Sequence, residues 1–324
     1  MTHSHVTRRI AGLSSLVMLM AMLASMLYAA PAKISWVGYV QGRYDKGITT
    51  GVDSFQAKRY GVWLRIMQTE KVGATVFAAN DANGKIELQH AYANYINGTL
   101  ETRAGLSPVP FGYENPITSC KLITLERSLV SGNLIGPNAL DRGVFLYYTP
   151  GNGLNASVAL INGVPYNIVG TNDNNKEKNP VARIGYSIKG GEIGVSMIGG
   201  TIAGNPAVGP TKDALGIDIE TVQGPFTIVA EAIQGEIGTP LVDANGGYLT
   251  VAYKANALNQ PYLRLETFDP NTDVDDNEIQ RYTLGYSYFL SPTGKLSAEY
   301  QIIDDETVGN PANGYGLQYQ VIFQ

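Results

Sequence analysis

The sequence predicts an all-β fold, a transmembrane antiparallel β-barrel of about 16 strands closed on itself. Three observations carry this expectation. Residues 314–323 alternate strictly, with Tyr315, Leu317, Tyr319, Val321 and Phe323 on one face and Gly314, Gly316, Gln318, Gln320 and Ile322 on the other. Similar segments recur along the chain, joined alternately by tight turns and longer polar connections. After the first 32 residues no apolar run is long enough to span a bilayer as a helix. A soluble β-sandwich shares the alternation but has no reason to keep the short/long rhythm. The 20 Tyr and 37 Gly, against 8 Phe and 2 Trp, also suit a one-sided apolar band with amphipathic aromatic rims.

Residues 1–32 read as a cleaved signal peptide. Arg8 and Arg9 form a basic start, Ile10 to Leu27 an apolar run, and Ala30-Pro31-Ala32 a small-residue cleavage site. A retained anchor is the alternative; with no Cys at the cleavage site, a lipoprotein is disfavoured. Residues 33–324 then form one large β unit. Without Arg8 and Arg9, 21 bases face 28 acids, a net charge of −7. That excludes a broadly basic nucleic-acid binder. The single Cys, Cys120, cannot make an intrachain disulfide.

Strands are expected near 33–44, 55–67, 71–80, 85–96, 99–106, 142–149, 154–162, 181–189, 192–199, 212–222, 226–235, 248–255, 261–268, 281–290, 295–303 and 314–323. Tight turns fall at Asn97-Gly98, 150–153, 189–191, 223–225 and 291–294, where Gly, Pro and Asn supply the dihedrals. Longer connections cover 45–54, 107–141, 163–180, 200–211, 236–247, 269–280 and 304–313. An even strand count returns both termini to the short-turn end. Unpaired amides cost several kcal/mol each in hydrocarbon, so the sheet must close. Sixteen strands leave an interior too wide for wall side chains alone to fill, hence an aqueous channel.

Parity assigns the lumen. An arginine facing lipid costs about 2–4 kcal/mol at the midplane. Arg59 and Arg65 therefore point inward, opposite Tyr60, Val62, Leu64 and Ile66. The same logic turns Arg43, Arg103, Arg183, Arg264 and Lys254 inward, with Glu87, Asp218, Glu220, Glu231, Glu266 and Glu299. Arg43, Arg59, Arg65 and Arg103 are expected to form one basic wall. The 107–141 connection is too long for a plain loop and, with Val109, Phe111, Ile123, Leu125 and Leu129, too apolar for free solvation. It is expected to fold into the barrel as a constriction loop, with Glu114 and Glu126 facing the basic wall and setting a transverse field. An outward loop covering the mouth or joining subunits is the alternative.

Several pieces match a known pattern. They are Gly38-Tyr39-Val40-Gln41 with Arg43-Tyr44, Phe55 before Lys58-Arg59, Ala91-Tyr92, Pro110-Phe111-Gly112-Tyr113-Glu114, Glu126-Arg127, Asp141-Arg142-Gly143, Gly246-Gly247-Tyr248 and Leu263-Arg264-Leu265-Glu266. Over essentially the whole mature chain, the sequence resembles the phosphate-selective porin O/P family of Gram-negative outer membranes. The resemblance implies trimeric sixteen-stranded porins with an inward third loop. It also implies a constriction rich in Arg and Lys; this loop offers only Lys121 and Arg127. Arg142 joins the expected pore lining through its motif. Phe323 is the expected assembly signal, although Gln324 follows it.

The expected function is passive diffusion of small hydrophilic solutes and ions across the bacterial outer membrane, with selectivity set by lumen charge. The alternatives are a phosphate- or anion-selective channel with a specific site and a non-conducting barrel adhesin. Expected partners are two further copies of the chain in a homotrimer, outer-membrane lipid and lipopolysaccharide, and small anions or other solutes. No cofactor or metal is expected, and no enzyme: His90 is the only His after the leader and has no nucleophile motif nearby. Residues 269–280 resemble half a calcium loop but carry Val274 and Gln280 where Gly and Glu are needed.

Overall fold

The computed structural model describes residues 32–80, 84–136, 139–163, 178–200, 213–237, 241–309 and 311–324. The signal peptide read over 1–32 lies, but for its last residue, outside them, as do parts of several long connections. Sixteen strands follow in chain order: β1 (Lys33–Gly47), β2 (Asp53–Met67), β3 (Val72–Asn80), β4 (Ile86–Asn97), β5 (Leu100–Pro108), β6 (Leu140–Tyr148), β7 (Leu154–Ile161) and β8 (Asn179–Ile188). The second half comprises β9 (Gly191–Ile198), β10 (Ala214–Gln223), β11 (Phe226–Ile237), β12 (Val242–Tyr253), β13 (Asn259–Asp269), β14 (Ile279–Ser291), β15 (Gly294–Asp305) and β16 (Ala312–Phe323). Each pairs antiparallel with its neighbours, and β1 pairs β16 from Gly38↔Phe323 to Gly47↔Gly314. The barrel is therefore closed and leaves no sheet edge, as a lipid environment demands.

The alternation sorts side chains as their chemistry dictates. On β14, Tyr282, Leu284, Tyr286 and Tyr288 are exposed on the outside, while Thr283 and Ser287 are buried inside. On β15, Leu296, Tyr300 and Ile302 lie outside, with Ser297 and Glu299 inside. Leu317, Tyr319 and Phe323 of β16 lie outside and Gln318 and Gln320 inside.

Three local departures matter. The register slips between Gln41 and Gly42 of β1, where Gln41 faces Arg59 but Gly42 faces Ala57. Lys58 is thus an extra residue in β2, a β-bulge that frees its side chain from strict parity. The expected 236–247 loop is mostly strand, because β11 and β12 stay paired out to Ile237↔Val242. Asn245-Gly246-Gly247 reads as a turn, yet here the glycines let neighbouring strands approach closely. Arg142 is the third. Phe145 is fully buried inside the barrel, so the outer face of β6 takes Val144, Leu146, Tyr148 and the exposed Arg142. Arg142 sits outside next to the long-loop rim, where a charge costs little; it does not line the pore.

The interior is not uniformly wet. From mid-length to the long-loop end, the inward positions of β6–β13 become apolar: Phe145, Ile161, Val181, Ile198, Ile233, Ala244 and Phe268 are buried there. They pack against Val109, Phe111, Val130, Leu134 and Ile135 of the 107–141 segment in one cluster. The wall side chains alone do not fill the barrel; the loop fills this part of it. Each buried Leu, Val, Ile or Phe contributes about 1.5–3 kcal/mol, which binds the loop to the inner wall.

Candidate functional site

The constriction begins as β5 ends. Val109 N–H donates to Ala139 O at 2.9 Å, tying the two ends of the loop together. Asn115, buried, closes this neck: its Nδ2 donates to Val109 O at 3.1 Å and its Oδ1 accepts from Ala139 N–H at 2.9 Å. Pro110, Phe111 and Gly112 are all buried. Gly112 has φ +65°, and a Cβ there would run into the Glu231 carboxyl, so only glycine turns the chain at this point.

From the neck the loop crosses the lumen and is held by the wall through its backbone. Gly112 N–H donates to Ser196 Oγ at 2.9 Å and Tyr113 N–H to Glu231 Oε1 at 3.1 Å. Leu125 N–H donates to Glu299 Oε1 at 2.6 Å and Leu129 N–H to Glu266 Oε1 at 2.9 Å. On the other side Arg43 Nη2 donates to Leu125 O at 2.9 Å, Arg59 Nη1 to the same oxygen at 3.1 Å, and Lys295 Nζ to Leu122 O at 3.0 Å. Wall carboxylates meet loop N–H groups and wall cations meet loop carbonyls. The bonds from Arg43, Arg59 and Lys295 are charge-assisted and contribute about 1.5–3 kcal/mol each, so the loop is strongly fixed.

The two acids expected to face one basic wall part company. Glu126 meets Arg43 Nη1 at 2.6 Å, Arg59 Nη2, and Lys58 Nζ at 3.4 Å. Burial pushes its carboxyl up, but Arg59, Arg43 and Lys58 outweigh this and hold it at about 2. Glu114 turns the other way. It is buried, pairs with Arg264 Nη2 at 2.7 Å and accepts Ser128 N–H at 2.6 Å. Here too burial acts upward, and Arg264, the Ser128 N–H and Arg127 hold the carboxyl below its ordinary range.

The ten expected pore-lining charges separate in the same way. Arg59 and Glu126 keep side chains 20% and 32% exposed, and Lys58, passed over as a pore residue, is 29% exposed beside them. These three face water. Arg43 is almost wholly covered at 3%, behind the loop. Arg127 is buried and donates to Glu114 O and Ile117 O, bracing the loop from within. Arg264 is buried over the Tyr248 ring, with Nε donating to Thr250 Oγ1 at 2.7 Å. Lys121 is exposed on a short helical turn, Ser119–Lys121.

The expected four-arginine wall does not form. Arg65 pairs with Ser35, six residues along from the Arg59–Gln41 pair, and is exposed. That separates the two by about 20 Å along the strand, toward the short-turn end. Arg103 is elsewhere, bonded to Glu101 at 2.9 Å between the rings of Tyr92 and Tyr147. Four residues sharing one parity need not share one depth. Phe323 faces outward, edge-on to Trp36 at 6.0 Å.

A closed sixteen-stranded antiparallel barrel with an inward loop between β5 and β6 is the fold of the porins. The chain is similar to the solved anion-selective porin from Comamonas acidovorans, with 14% identity, TM-score 0.65, and coverage of 90% of this chain and 100% of that one. A loop L8 deletion mutant of OmpT, an outer membrane protein of Vibrio cholerae, matches with 12% identity, TM-score 0.66, and coverage of 91% and 100%. Salmonella typhi OmpF in complex with daunomycin matches with 9% identity, TM-score 0.69, and coverage of 90% and 98%. No protein-family model matches the chain, and no curated protein matches it by sequence.

Proposed function

We propose that this protein is a non-enzymatic outer-membrane porin of a Gram-negative bacterium, a passive channel for small hydrophilic solutes and ions. The observation that carries the reading is the 107–141 loop, turned into a closed barrel and clamped across it while Lys58, Arg59 and Glu126 keep contact with water. A fixed obstruction with charged, hydrated edges is a size filter with an electrostatic bias. The test is swelling of liposomes containing the purified chain. Uptake rates fall steeply as solute mass rises; swelling no faster than in protein-free liposomes contradicts the reading.

A second reading, anion preference, is favoured by one feature. Arg43, Lys58 and Arg59 converge on the single carboxylate of Glu126, with Asp45 farther off at 3.9 Å from Arg43. The structurally similar Comamonas protein is described as anion-selective. Membership of the phosphate-selective porin O/P family belongs to this reading. Its support is the motif set, since Pro110–Glu114 leads out of the neck, Glu126 sits in the cluster and Arg127 braces the loop behind it. Residues 1–32 act as the export signal in this proposal. Three copies assemble through outer aromatic surface such as Tyr44, Phe55, Tyr286, Tyr288 and Tyr319, with lipid and lipopolysaccharide around the rest.

A further inference from the structure

Below the constriction, the inner wall of β1–β6 carries aromatic rings where a water-filled lumen calls for polar side chains. Tyr39 stacks on Trp63, with centroids 5.4 Å apart. Trp63 lies parallel to Phe77 at 3.8 Å with 2° between planes. Phe77 meets His90 edge-on at 5.1 Å, and His90 stands 6.3 Å from Tyr92. Arg103 continues the series, its guanidinium 4.9 Å from the Tyr92 ring centre and 4.3 Å from that of Tyr147. The arc starts at mid-length on β1, where Cys120 of the constriction loop packs against Tyr39 and Phe77. It ends at Tyr147, the penultimate residue of β6, at the short-turn end. It is a continuous slanting track leading down from the constriction.

Tyr39 and Phe77 are buried, but Trp63, His90, Tyr92, Arg103 and Tyr147 are all partly exposed. Tyr39 and Phe77 therefore back the track, and the others present it to the lumen. Arg65 stands exposed on the same face, two residues beyond Trp63, and the other charges nearby are paired. Arg103 is paired with Glu101, and on the neighbouring wall Arg183 is paired with Glu192 and Asp218 at 2.6 Å each. Paired charges of this kind exchange hydrogen bonds with neutral hydroxyls. Aromatic faces carry negative quadrupole density, which attracts the polarised C–H bonds on the flat face of a sugar ring.

Building on the porin reading above, we propose that this arc is a transit site for neutral pyranose oligosaccharides. The sugar rings slide over Trp63, Tyr92 and Tyr147, and their hydroxyls exchange partners along Glu101 and Arg103. Successive weak platforms are what permeation needs, since each holds a ring without trapping it.

The experiment records ion current through the purified chain in a planar bilayer while maltotriose is added. Current falls saturably at millimolar sugar. Trp63→Ala and Tyr147→Ala each raise the half-blocking concentration about fivefold to tenfold, whereas Trp63→Phe, which keeps a ring, changes it about twofold. Val195→Ala, on the outer face, leaves it unchanged. Heat-modifiable migration on gels confirms that each variant is folded. Conducting channels that maltotriose does not block overturn the sugar site and leave the porin reading standing; no current at all overturns the porin reading itself. Equal block in Trp63→Ala, Tyr147→Ala and unsubstituted channels also overturns the site. So does block by a flat aromatic solute such as tryptophan amide without block by maltotriose, which identifies an arene track.

Discussion

Replacing Glu126 by Gln removes the one carboxylate shared by Arg43, Lys58 and Arg59 and leaves the shape of the loop nearly unchanged. Two effects are expected. The first is on permeation. A unit charge about 5 Å from a passing ion interacts with it by about 0.8 kcal/mol in water, about fourfold in local ion concentration. Counterions at 0.1 M salt reduce this to about twofold or threefold. Anions gain and cations lose by that factor, so the anion-to-cation permeability ratio of Glu126→Gln rises about fourfold to ninefold. The second effect is on stability. A carboxyl held at about 2 instead of its ordinary 4.5 corresponds to about 3 kcal/mol at most. The carboxylate's partial exposure to water reduces that to about 1–2 kcal/mol. The folded value is depressed, so this stabilisation is complete above the unfolded value and is lost as pH falls through 4 toward 2. The assay is the reversal potential under a tenfold salt gradient, read with the thermal midpoint in detergent. A reversal potential equal to that of the unsubstituted channel, or one displaced toward cations, refutes the assignment of Glu126 to the water-facing edge.

Other outcomes follow from the same geometry. Arg59→Ala moves the reversal potential toward cations, whereas Arg65→Ala, about 20 Å away along β2, moves it much less; equal shifts in the two variants would restore the single-wall arrangement. Gly112→Ala strains a φ of +65° and drives a methyl into Glu231, costing about 1–3 kcal/mol, seen as a lowered thermal midpoint and a broadened spread of single-channel conductance. Arg264→Met strands the buried Glu114 carboxylate at a cost of about 3–5 kcal/mol, and limited proteolysis then cuts within 107–141. The Glu126 contribution to the reversal potential stays constant from pH 7 to about pH 4 and moves toward anions only as pH approaches 2, checked by a pH series in which Glu126→Gln lacks that final step.

Much of the barrel is written in period-2 alternation, because a strand between lipid and water is tightly constrained on both faces. β14, β15 and β16 show this residue by residue, and so does the inward direction of Arg43, Arg59 and Arg264. The inward fold of the loop is legible too, since Phe111, Leu125 and Val109 have no other place to go. What sequence parity loses is anything a single extra residue changes. The bulge at Lys58 adds a cation to the eyelet without a signature in composition, and a one-residue slip inverts every later assignment. Depth is also lost: Arg59 and Arg65 share a face but not a level. The Glu114–Arg264 and Glu126–Arg59 pairings join positions far apart in sequence, so no local pattern distinguishes one from the other. Arg142 misleads for a related reason, because the start of β6 fixes its side and a motif does not. Asn115, Glu231 and Glu299 hold the loop in place, yet singly each reads as an ordinary polar position.

The central claim is that a hydrated passage persists beside the clamped loop of a closed barrel. Single-channel recording of the purified, refolded chain in a planar bilayer tests it most directly. The account predicts discrete, long-lived conductance steps that grow in proportion to salt concentration. A folded, heat-modifiable barrel that inserts into the bilayer and passes no measurable current would contradict it.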